Sequence, residues 1–275
     1  MKVAVLTKNL ALRLSVAAAG IPLLIVICIL HEYFIFVFGI LLAGLGGLEL
    51  ALMFRQKGYY ANPVLSVILP VLCIISAFYD YPLKNIFLFS FFLVSLIVVK
   101  RYFGDSSADL SGFFNDLLSS LLPVFYLGLT ISFVIYLRKV PDYGGLLLIY
   151  IFLTVWGTDT AAYFGGKAFG KRKFSVLLSP NKTWAGFYSG FFGAVLAGVV
   201  SKLVFLDLSW LQIICMSILA CFLGQAGDLL ESGIKRHCQV KDSSSIIPGH
   251  GGVLDRFDSF FFAVPAVYIF VIAWK

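Results

Sequence analysis

The sequence predicts an all-α integral membrane protein with about nine transmembrane helices. Of its 275 residues, 60% are apolar and 13% are charged, whereas soluble domains average about 45–50% apolar and about 25% charged residues. With a mean hydropathy of +0.97, the chain cannot cover itself with polar surface in water. This composition excludes an ordinary soluble enzyme, a disordered protein and a secreted disulfide scaffold. It also argues against nucleic-acid binding, because no soluble basic domain remains to perform it.

Nine apolar segments are candidates for membrane spans, which need roughly 20 mostly apolar residues each. The first segment follows Lys2, Lys8 and Arg13, as in a signal peptide, but it is longer than the usual apolar region of such a peptide. We therefore expect an uncleaved first span. The segments are 12–30, 33–54, 62–79, 85–99, 112–137, 144–164, 184–205, 209–230 and 257–274.

The basic residues predict the orientation of these spans. Nine spans place 16 Lys and Arg residues on the side of the N-terminus and 5 on the other side. Because basic residues concentrate in cytoplasmic loops, we expect a cytoplasmic N-terminus and an external C-terminus. The two long loops, 165–183 and 231–256, then face the cytoplasm.

The polar residues divide the chain into an N-terminal region, 1–140, with about five spans, and a C-terminal catalytic region, 141–275, with about four. Glu49 is an exception in the first region, because it lies in an apolar span after Gly44, Gly46 and Gly47. A carboxylate at that depth is costly and is by default a functional hypothesis. A structural role, in which it snorkels to the interface or pairs with Arg55, stays open.

The sixth span and the loop after it carry the first polar cluster. Asp159 lies in an apolar helix about two turns from its cytoplasmic end and needs a partner or a cation. The match of Gly165, Gly170 and Lys171 to a P-loop fails, because Arg172 stands where a Ser or Thr would ligate magnesium and no strand precedes it. We expect a turn at Ser179–Thr183 that opens the seventh helix, where a hydroxyl caps the helix or its amides hold a phosphate.

The last two spans carry acids at their cytoplasmic ends. In a helix, Asp228, Glu231 and Lys235 fall at i, i+3 and i+7 and so share one face. Asp255 and Asp258 are likewise three residues apart where the ninth helix begins. The acids lie beside many basic residues, namely Lys171, Arg172, Lys173, Lys182, Lys235, Arg236, Lys241 and Arg256.

Carboxylates beside many basic groups suit polyphosphate chemistry, because acids hold Mg²⁺ while Lys and Arg neutralise phosphates. The residues lack an arrangement typical of a hydrolase triad. A zinc site at His237, Cys238 and His250 has no fourth ligand at the usual spacing. The sequence therefore predicts a phosphoryl- or nucleotidyl-transfer enzyme that faces the cytoplasm and uses one membrane-resident substrate.

One segment resembles the signature of phosphatidate cytidylyltransferases, also called CDP-diacylglycerol synthases. It reads Ser232-Gly-Ile-Lys235-Arg236-x₄-Lys241-Asp242-x-Ser244-x₂-Ile247-Pro248-x-His250-Gly251-Gly252-Val253-x-Asp255-Arg256-Phe257-Asp258. The runs that begin at Asp159, Ser179 and Gly227 are also similar to the family. The sequence departs from it at Ala185, where the family usually has Glu, so one carboxylate is missing.

The resemblance implies that CTP and phosphatidate are converted to CDP-diacylglycerol and pyrophosphate. It makes Asp228 and Asp255 the leading Mg²⁺ ligands and catalytic residues, with Asp159 and Asp258 as further ligands or orienting groups. The phosphates would be held by Lys182, Lys235, Arg236, Lys241 and Arg256, of which Lys235 and Arg236 are also expected to be catalytic. Other substrate contacts are expected from Ser179, Thr183, Asp242 and His250.

The resemblance further implies a multi-pass protein of the inner (plasma) membrane, with its active site facing the cytoplasm and a homodimeric assembly. A second, monovalent cation such as K⁺ beside Mg²⁺ stays open. One alternative is a CTP-dependent polyprenol kinase, which would transfer the γ-phosphoryl group. The other is a transporter that uses the intramembrane acids as ion sites, although the sequence shows no internal repeat.

Overall fold

The computed structural model describes residues 2–104 and 109–274, and for residues 2–14 it describes the backbone only. The side chains of Lys2, Lys8 and Arg13 therefore lie outside the described part. The described residues form ten α-helices: α1 (Lys2–Ile29), α2 (Glu32–Gln56), α3 (Pro63–Phe78), α4 (Leu83–Tyr102), α5 (Leu110–Pro123), α6 (Leu129–Arg138), α7 (Gly144–Phe169), α8 (Trp184–Val204), α9 (Trp210–His237) and α10 (Leu254–Ala273).

The all-α, membrane-embedded architecture is confirmed. Within the described residues, seven helical stretches are long and apolar enough to cross a membrane, and two shorter apolar helices cover Ser15–Ile29 and Pro63–Phe78. Each predicted segment thus coincides with a helix, while the number of true spans and the sides of the termini stay predictions. The seven long stretches are Glu32–Gln56, Leu83–Tyr102, Leu110–Arg138, Gly144–Phe169, Trp184–Val204, Trp210–His237 and Leu254–Ala273.

The fifth predicted span is one continuous helix with an irregular centre. A π-helical turn, Val124–Gly128, joins α5 to α6 directly after Pro123. Proline has no N–H to donate, so it disturbs the regular bonding of a helix at this point. The hydroxyl groups of Thr130 and Ser132 donate hydrogen bonds of 2.5 Å to the carbonyl oxygens of Tyr126 and Gly128, which lie in the turn.

The predicted turn at Ser179–Thr183 is wrong, because these residues form a short strand. β2 (Ser179–Thr183) pairs in antiparallel fashion with β1 (Lys173–Ser175), so that Lys173 lies opposite Thr183. Phe174 in β1 stacks on Phe187 of α8 with ring centroids 4.8 Å apart. This aromatic contact supplies the side-chain packing that a two-stranded hairpin needs for stability.

The described residues divide into two compact units. Unit 1 comprises residues up to Leu23, Tyr33–Ile135 and Cys238–Arg256, and unit 2 comprises Leu24–Glu32, Tyr136–His237 and the residues from Phe257 on. Unit 1 is packed around a core of side chains from α3, α4 and the π-helical turn, namely Leu69, Cys73, Val94, Val98 and Val124. The predicted functional boundary at residue 140 stays a prediction.

Small residues let α7 and α8 approach closely in unit 2. A Cβ atom added to Gly193 would lie 2.2 Å from the carbonyl oxygen of Gly157 and 2.6 Å from the Cβ atom of Ala161. Small residues at such crossings allow tight backbone packing between membrane helices. This contact fixes the two helices that the hairpin connects.

Candidate functional site

A cavity of about 600 Å³ lies at the end of α7 in unit 2, within the size range of ligand pockets. We call it the helix cavity and define it by its charged lining residues and one glutamine, namely Asp159, Lys167, Lys173, Lys182, Asp228 and Gln225. Two carboxylates and three ammonium groups thus face one space. Such a mixture can hold phosphates and the cations that accompany them.

Asp228 on α9 has two partners in this region. Its Oδ2 atom forms an ion pair with Nζ of Lys182 on β2, and its Oδ1 atom accepts a hydrogen bond of 3.3 Å from Ser232. The side chains of Lys182 and Asp228 are about a quarter exposed, at 28% and 27%. The sequence predicted both residues for the site but did not predict their pairing.

The predicted helical face at the end of α9 is present, because the helix continues to His237. Glu231 is buried, and its Oε2 atom lies 2.6 Å from Nζ of Lys235, one turn further along. The predicted loop 231–256 therefore begins only after His237. Arg236, in the last turn of α9, is exposed.

Asp258 in the first turns of α10 extends the acidic group. Its Oδ1 atom accepts a 2.6 Å hydrogen bond from the N–H of Ser259, and its carboxyl group interacts electrostatically with Asp228, Glu231 and Asp159. Unit 2 thus gathers three of the predicted metal ligands, together with Glu231. A bound cation would offset the repulsion between these like charges.

The oxygen-donor set of this acidic group fits Mg²⁺, which prefers carboxylate oxygens and water. Within residues 2–104 and 109–274, no three His, Cys, Asp or Glu side chains form a ready-made metal group. Lys182 and Lys235 already supply positive charge to Asp228 and Glu231. The Mg²⁺ assignment therefore stays a prediction.

In unit 1, the connection between α9 and α10 and the first two residues of α10 form what we call the signature loop, residues 238–255. The Oδ2 atom of Asp255 accepts hydrogen bonds from the N–H of Ser243 at 2.9 Å, the hydroxyl of Ser243 at 2.9 Å and the N–H of Gly252 at 2.8 Å. The predicted leading ligand Asp255 thus also closes the loop on itself.

Glu49 on α2 is bonded to the same loop. It is 0% exposed, and its two carboxylate oxygens accept hydrogen bonds from Ser243, Ser244, Val253 and Leu254. Donors of the loop therefore satisfy the hydrogen-bonding capacity of this carboxylate. Neither structural role expected from the sequence, snorkelling to the interface or pairing with Arg55, includes these bonds. The signal in the sequence was an acid in an apolar helix, but the sequence did not identify its partners.

A second cavity, of about 490 Å³, is lined by the signature loop and by Arg256 and is called the loop cavity. The backbone around it turns sharply, with positive φ at Gly249 and Gly251 and a hydrogen bond of 2.9 Å from the N–H of Ile247 to the carbonyl of Gly251. Its polar side chains include four predicted site residues and two serines: Lys241, Asp242, Ser244, Ser245, His250 and Arg256.

The predicted residues are thus distributed over both cavities. Thr183 lines the helix cavity and caps α8, since its hydroxyl accepts a 3.2 Å hydrogen bond from the N–H of Gly186. Ser179, Lys235 and Arg236 line neither cavity. Lys167 and Gln225 were not predicted, and their only sequence signal was a position one or two turns from a predicted acid.

Comparison with known proteins adds a family to this geometry. A sequence model of the cytidylyltransferase family matches residues 11–274. A phosphatidate cytidylyltransferase of Bacillus subtilis (strain 168) is 42% identical over 148 residues, which is 54% of this chain and 55% of that protein. The enzyme of the same name from Staphylococcus saprophyticus is 42% identical over 70% of both chains. The one from Staphylococcus aureus (strain COL) is 41% identical over 69% of both.

Proposed function

Because the chain belongs to the cytidylyltransferase family, we propose that it is a membrane enzyme that makes CDP-diacylglycerol and pyrophosphate from CTP and phosphatidate. The observation that carries the proposal is the helix cavity, where Asp159 and Asp228 face three lysines. The names of its relatives from Bacillus and Staphylococcus support the choice of substrates.

The helix cavity suits the phosphate of a membrane lipid. Its ammonium groups at Lys167, Lys173 and Lys182 can neutralise a phosphomonoester. Its apolar lining includes Phe174, and Tyr163 there is 63% exposed, so acyl chains can remain in lipid beside the opening. Phosphatidate is thus expected to enter sideways from the cytoplasmic leaflet.

The loop cavity suits the nucleoside triphosphate, CTP. Lys241 and Arg256 supply positive charge, and Ser244, Ser245 and His250 supply hydrogen-bonding groups. Its positive-φ glycines let the backbone approach a ligand closely. Lys235 and Arg236 stay predicted phosphate contacts.

In the reaction, a phosphate oxygen of phosphatidate attacks the α-phosphorus of CTP. The bond between that phosphorus and the bridging oxygen to the β-phosphate breaks, and pyrophosphate leaves with the electron pair. The nucleophile is already ionised near neutral pH, so no strong general base is needed. The residues of the two cavities act by positioning substrates and neutralising their charge.

We propose that Asp159, Asp228 and Asp258 hold Mg²⁺, which when bound would neutralise charge on the transferring phosphates. Lys182 already binds Asp228, so we propose that it passes from this carboxylate to a substrate phosphate. Asp255 stays a predicted ligand in the signature loop, as does K⁺ for a second cation. We further propose a homodimer in the inner membrane with its active site facing the cytoplasm.

The test is incubation of the purified protein with Mg²⁺, phosphatidate in micelles and CTP labelled at the α-phosphate. Transfer of label to the lipid phase with release of pyrophosphate is expected. If only γ-labelled CTP labels a polyprenol, the protein is a kinase. If neither label reaches a lipid, cytidylyl transfer is wrong and ion transport becomes the hypothesis to test.

A further inference from the structure

We propose that Glu49 is a positioning residue for this reaction: from α2 it holds the signature loop in the conformation that binds CTP. The proposal rests on the proposed function for its substrate. Glu49 lines neither cavity, so its effect on catalysis is exerted through the loop.

The carboxylate of Glu49 connects two segments of the signature loop by hydrogen bonds, and we call this arrangement the clamp. Its Oε1 atom accepts hydrogen bonds from the hydroxyl of Ser244 at 2.7 Å and the N–H of Val253 at 2.8 Å. Its Oε2 atom accepts from the hydroxyl of Ser243 at 2.9 Å and the N–H of Leu254 at 3.0 Å. Each oxygen therefore binds both ends of the loop.

Much of the lining of the loop cavity comes from the segment between these two anchored pairs, Ser243–Ser244 and Val253–Leu254. Among the described residues, Ser244 alone both bonds to Glu49 and lines the cavity, while Gly249, His250 and Gly251 line it from the segment between the anchors. Asp255 reinforces the same closure through Ser243 and Gly252. The position of the segment that faces CTP is thus set by a carboxylate about 200 residues away in sequence.

The clamp requires a carboxylate with no donor of its own. Glutamine at position 49 would place its NH₂ group against the N–H of either Val253 or Leu254, whichever way the amide is turned. The serine hydroxyls can rotate to accept a bond, but a backbone N–H cannot. Glu49→Gln therefore breaks one backbone anchor at nearly constant volume.

Gly252 gives a second way to open the clamp without changing charge. A Cβ atom there would lie 2.5 Å from Oε1 of Glu49 and 2.0 Å from the hydroxyl of Ser243. Gly252→Ala must therefore displace the hydroxyl of Ser243, the carboxylate of Glu49 or the loop itself, and each of these changes disturbs the bonds between Glu49 and the loop. If both variants act through one clamp, they should share one phenotype.

The experiment compares Glu49→Gln, Glu49→Asp and Gly252→Ala with a matched control, Glu32→Gln, which changes the other acid of α2. CTP and phosphatidate are varied separately in micelles, and hydrogen–deuterium exchange of residues 243–254 is measured with and without CTP. We expect the KM for CTP to rise about tenfold in Glu49→Gln and Gly252→Ala. The KM for phosphatidate should change less than about twofold, and Glu49→Asp should recover part of the loss.

Hydrogen–deuterium exchange of residues 243–254 should be faster in Glu49→Gln and Gly252→Ala than in the unsubstituted protein. It should be unchanged in the control, Glu32→Gln. A rise in both KM values together with a collapsed melting temperature would mean a purely structural role and overturn the proposal. So would unchanged exchange in Gly252→Ala, which also carries the test if Glu49→Gln does not fold. If the unsubstituted protein binds CTP but transfers no cytidylyl group, the proposed function fails, while the exchange data still decide whether the clamp exists.

Discussion

Asp228 and Glu231 lie one turn apart on α9, and each of them meets a lysine. Lys182 reaches Asp228 from β2, whereas Lys235 reaches Glu231 from the same helix. Glu231 is fully buried, so removal of Lys235 would leave a charge that its surroundings do not compensate, whereas Asp228 and Lys182 are about a quarter exposed and water can solvate either one alone. In the proposed reaction, a substrate phosphate can take the place of Asp228 beside Lys182. A divalent cation can likewise take the place of Lys182 beside Asp228.

Asp228→Asn is therefore expected to lower turnover by about 10²–10³-fold, because charge stabilisation at a transferring phosphate is lost. The amide is nearly isosteric and can still accept a bond from Ser232, so the melting temperature should stay close to that of the unsubstituted protein. Initial rates of cytidylyl transfer and thermal unfolding in detergent measure the two effects.

Asp207→Asn is the matched control for this variant, since Asp207 is exposed in the connection between α8 and α9. Its activity should be unchanged. Near-normal turnover in Asp228→Asn would remove this residue from the metal assignment.

At the scale of single elements, regular helix was easier to predict than its interruptions. The face formed by Asp228, Glu231 and Lys235 followed from helical spacing alone. The strand at Ser179–Thr183 did not, because Pro180 and Asn181 favour a turn locally and the strand depends on pairing with β1 and on the stacking of Phe174. Tertiary context decided this element against local propensity.

Thr183 is the last residue of that strand and the N-cap of α8, so its hydroxyl is expected to contribute to the stability of the protein. Thr183→Ala is expected to cost about 1 kcal/mol, as is typical of a lost N-cap. Thr183→Ser keeps the capping oxygen and should retain most of the stability. Melting temperatures of the three proteins in one detergent check the order, and equal values for Ala and Ser would exclude a capping role.

The crossing of α7 and α8 gives a further prediction. Gly193→Ala should destabilise the protein by about 1–3 kcal/mol, because the added methyl group meets the backbone of Gly157. Gly44→Ala on α2 is the control, since its Cβ atom would make ordinary contacts of 3.7 and 3.9 Å with Val67 and Val71. Thermal unfolding of both variants measures the difference, and equal stability would contradict the close approach.

At the scale of the whole molecule, composition and motifs carried the class and the family. The membrane architecture and the predicted family are confirmed by the helices and by the match over residues 11–274. The sequence did not predict which residues far apart in the chain contact one another. Asp116, which carried no readable signal, is 4% exposed and accepts hydrogen bonds from Tyr60, Arg101 and Tyr102.

The orientation inferred from basic residues predicts labelling from opposite sides. In intact cells, an impermeant maleimide should react with Asp207→Cys, which lies in a connection predicted to be external. Lys171→Cys, in the predicted cytoplasmic loop, should react only in inverted membrane vesicles. Reaction of both from the same side would contradict the span count.

The native cysteines give little background in this assay. Cys28, Cys73, Cys221 and Cys238 are buried, and Cys215 is partly buried. Burial raises the pKa of Cys238 to about 11, and nearby Lys57 offsets the rise only in part. Since a raised pKa keeps the thiol protonated at pH 7 to 8, its thiolate is scarce and alkylation is slow until the protein is denatured.

The bonds between Glu49 and the signature loop also bear on how the protein is made. Glu49 and Leu254 are 205 residues apart, and synthesis at about 5–20 residues per second separates them by about 10–40 s. Throughout that interval α2 carries an acid in an apolar segment without the donors that later surround it. Unit 1, whose helices leave the ribosome first, therefore completes its packing only when the last loop of the chain arrives.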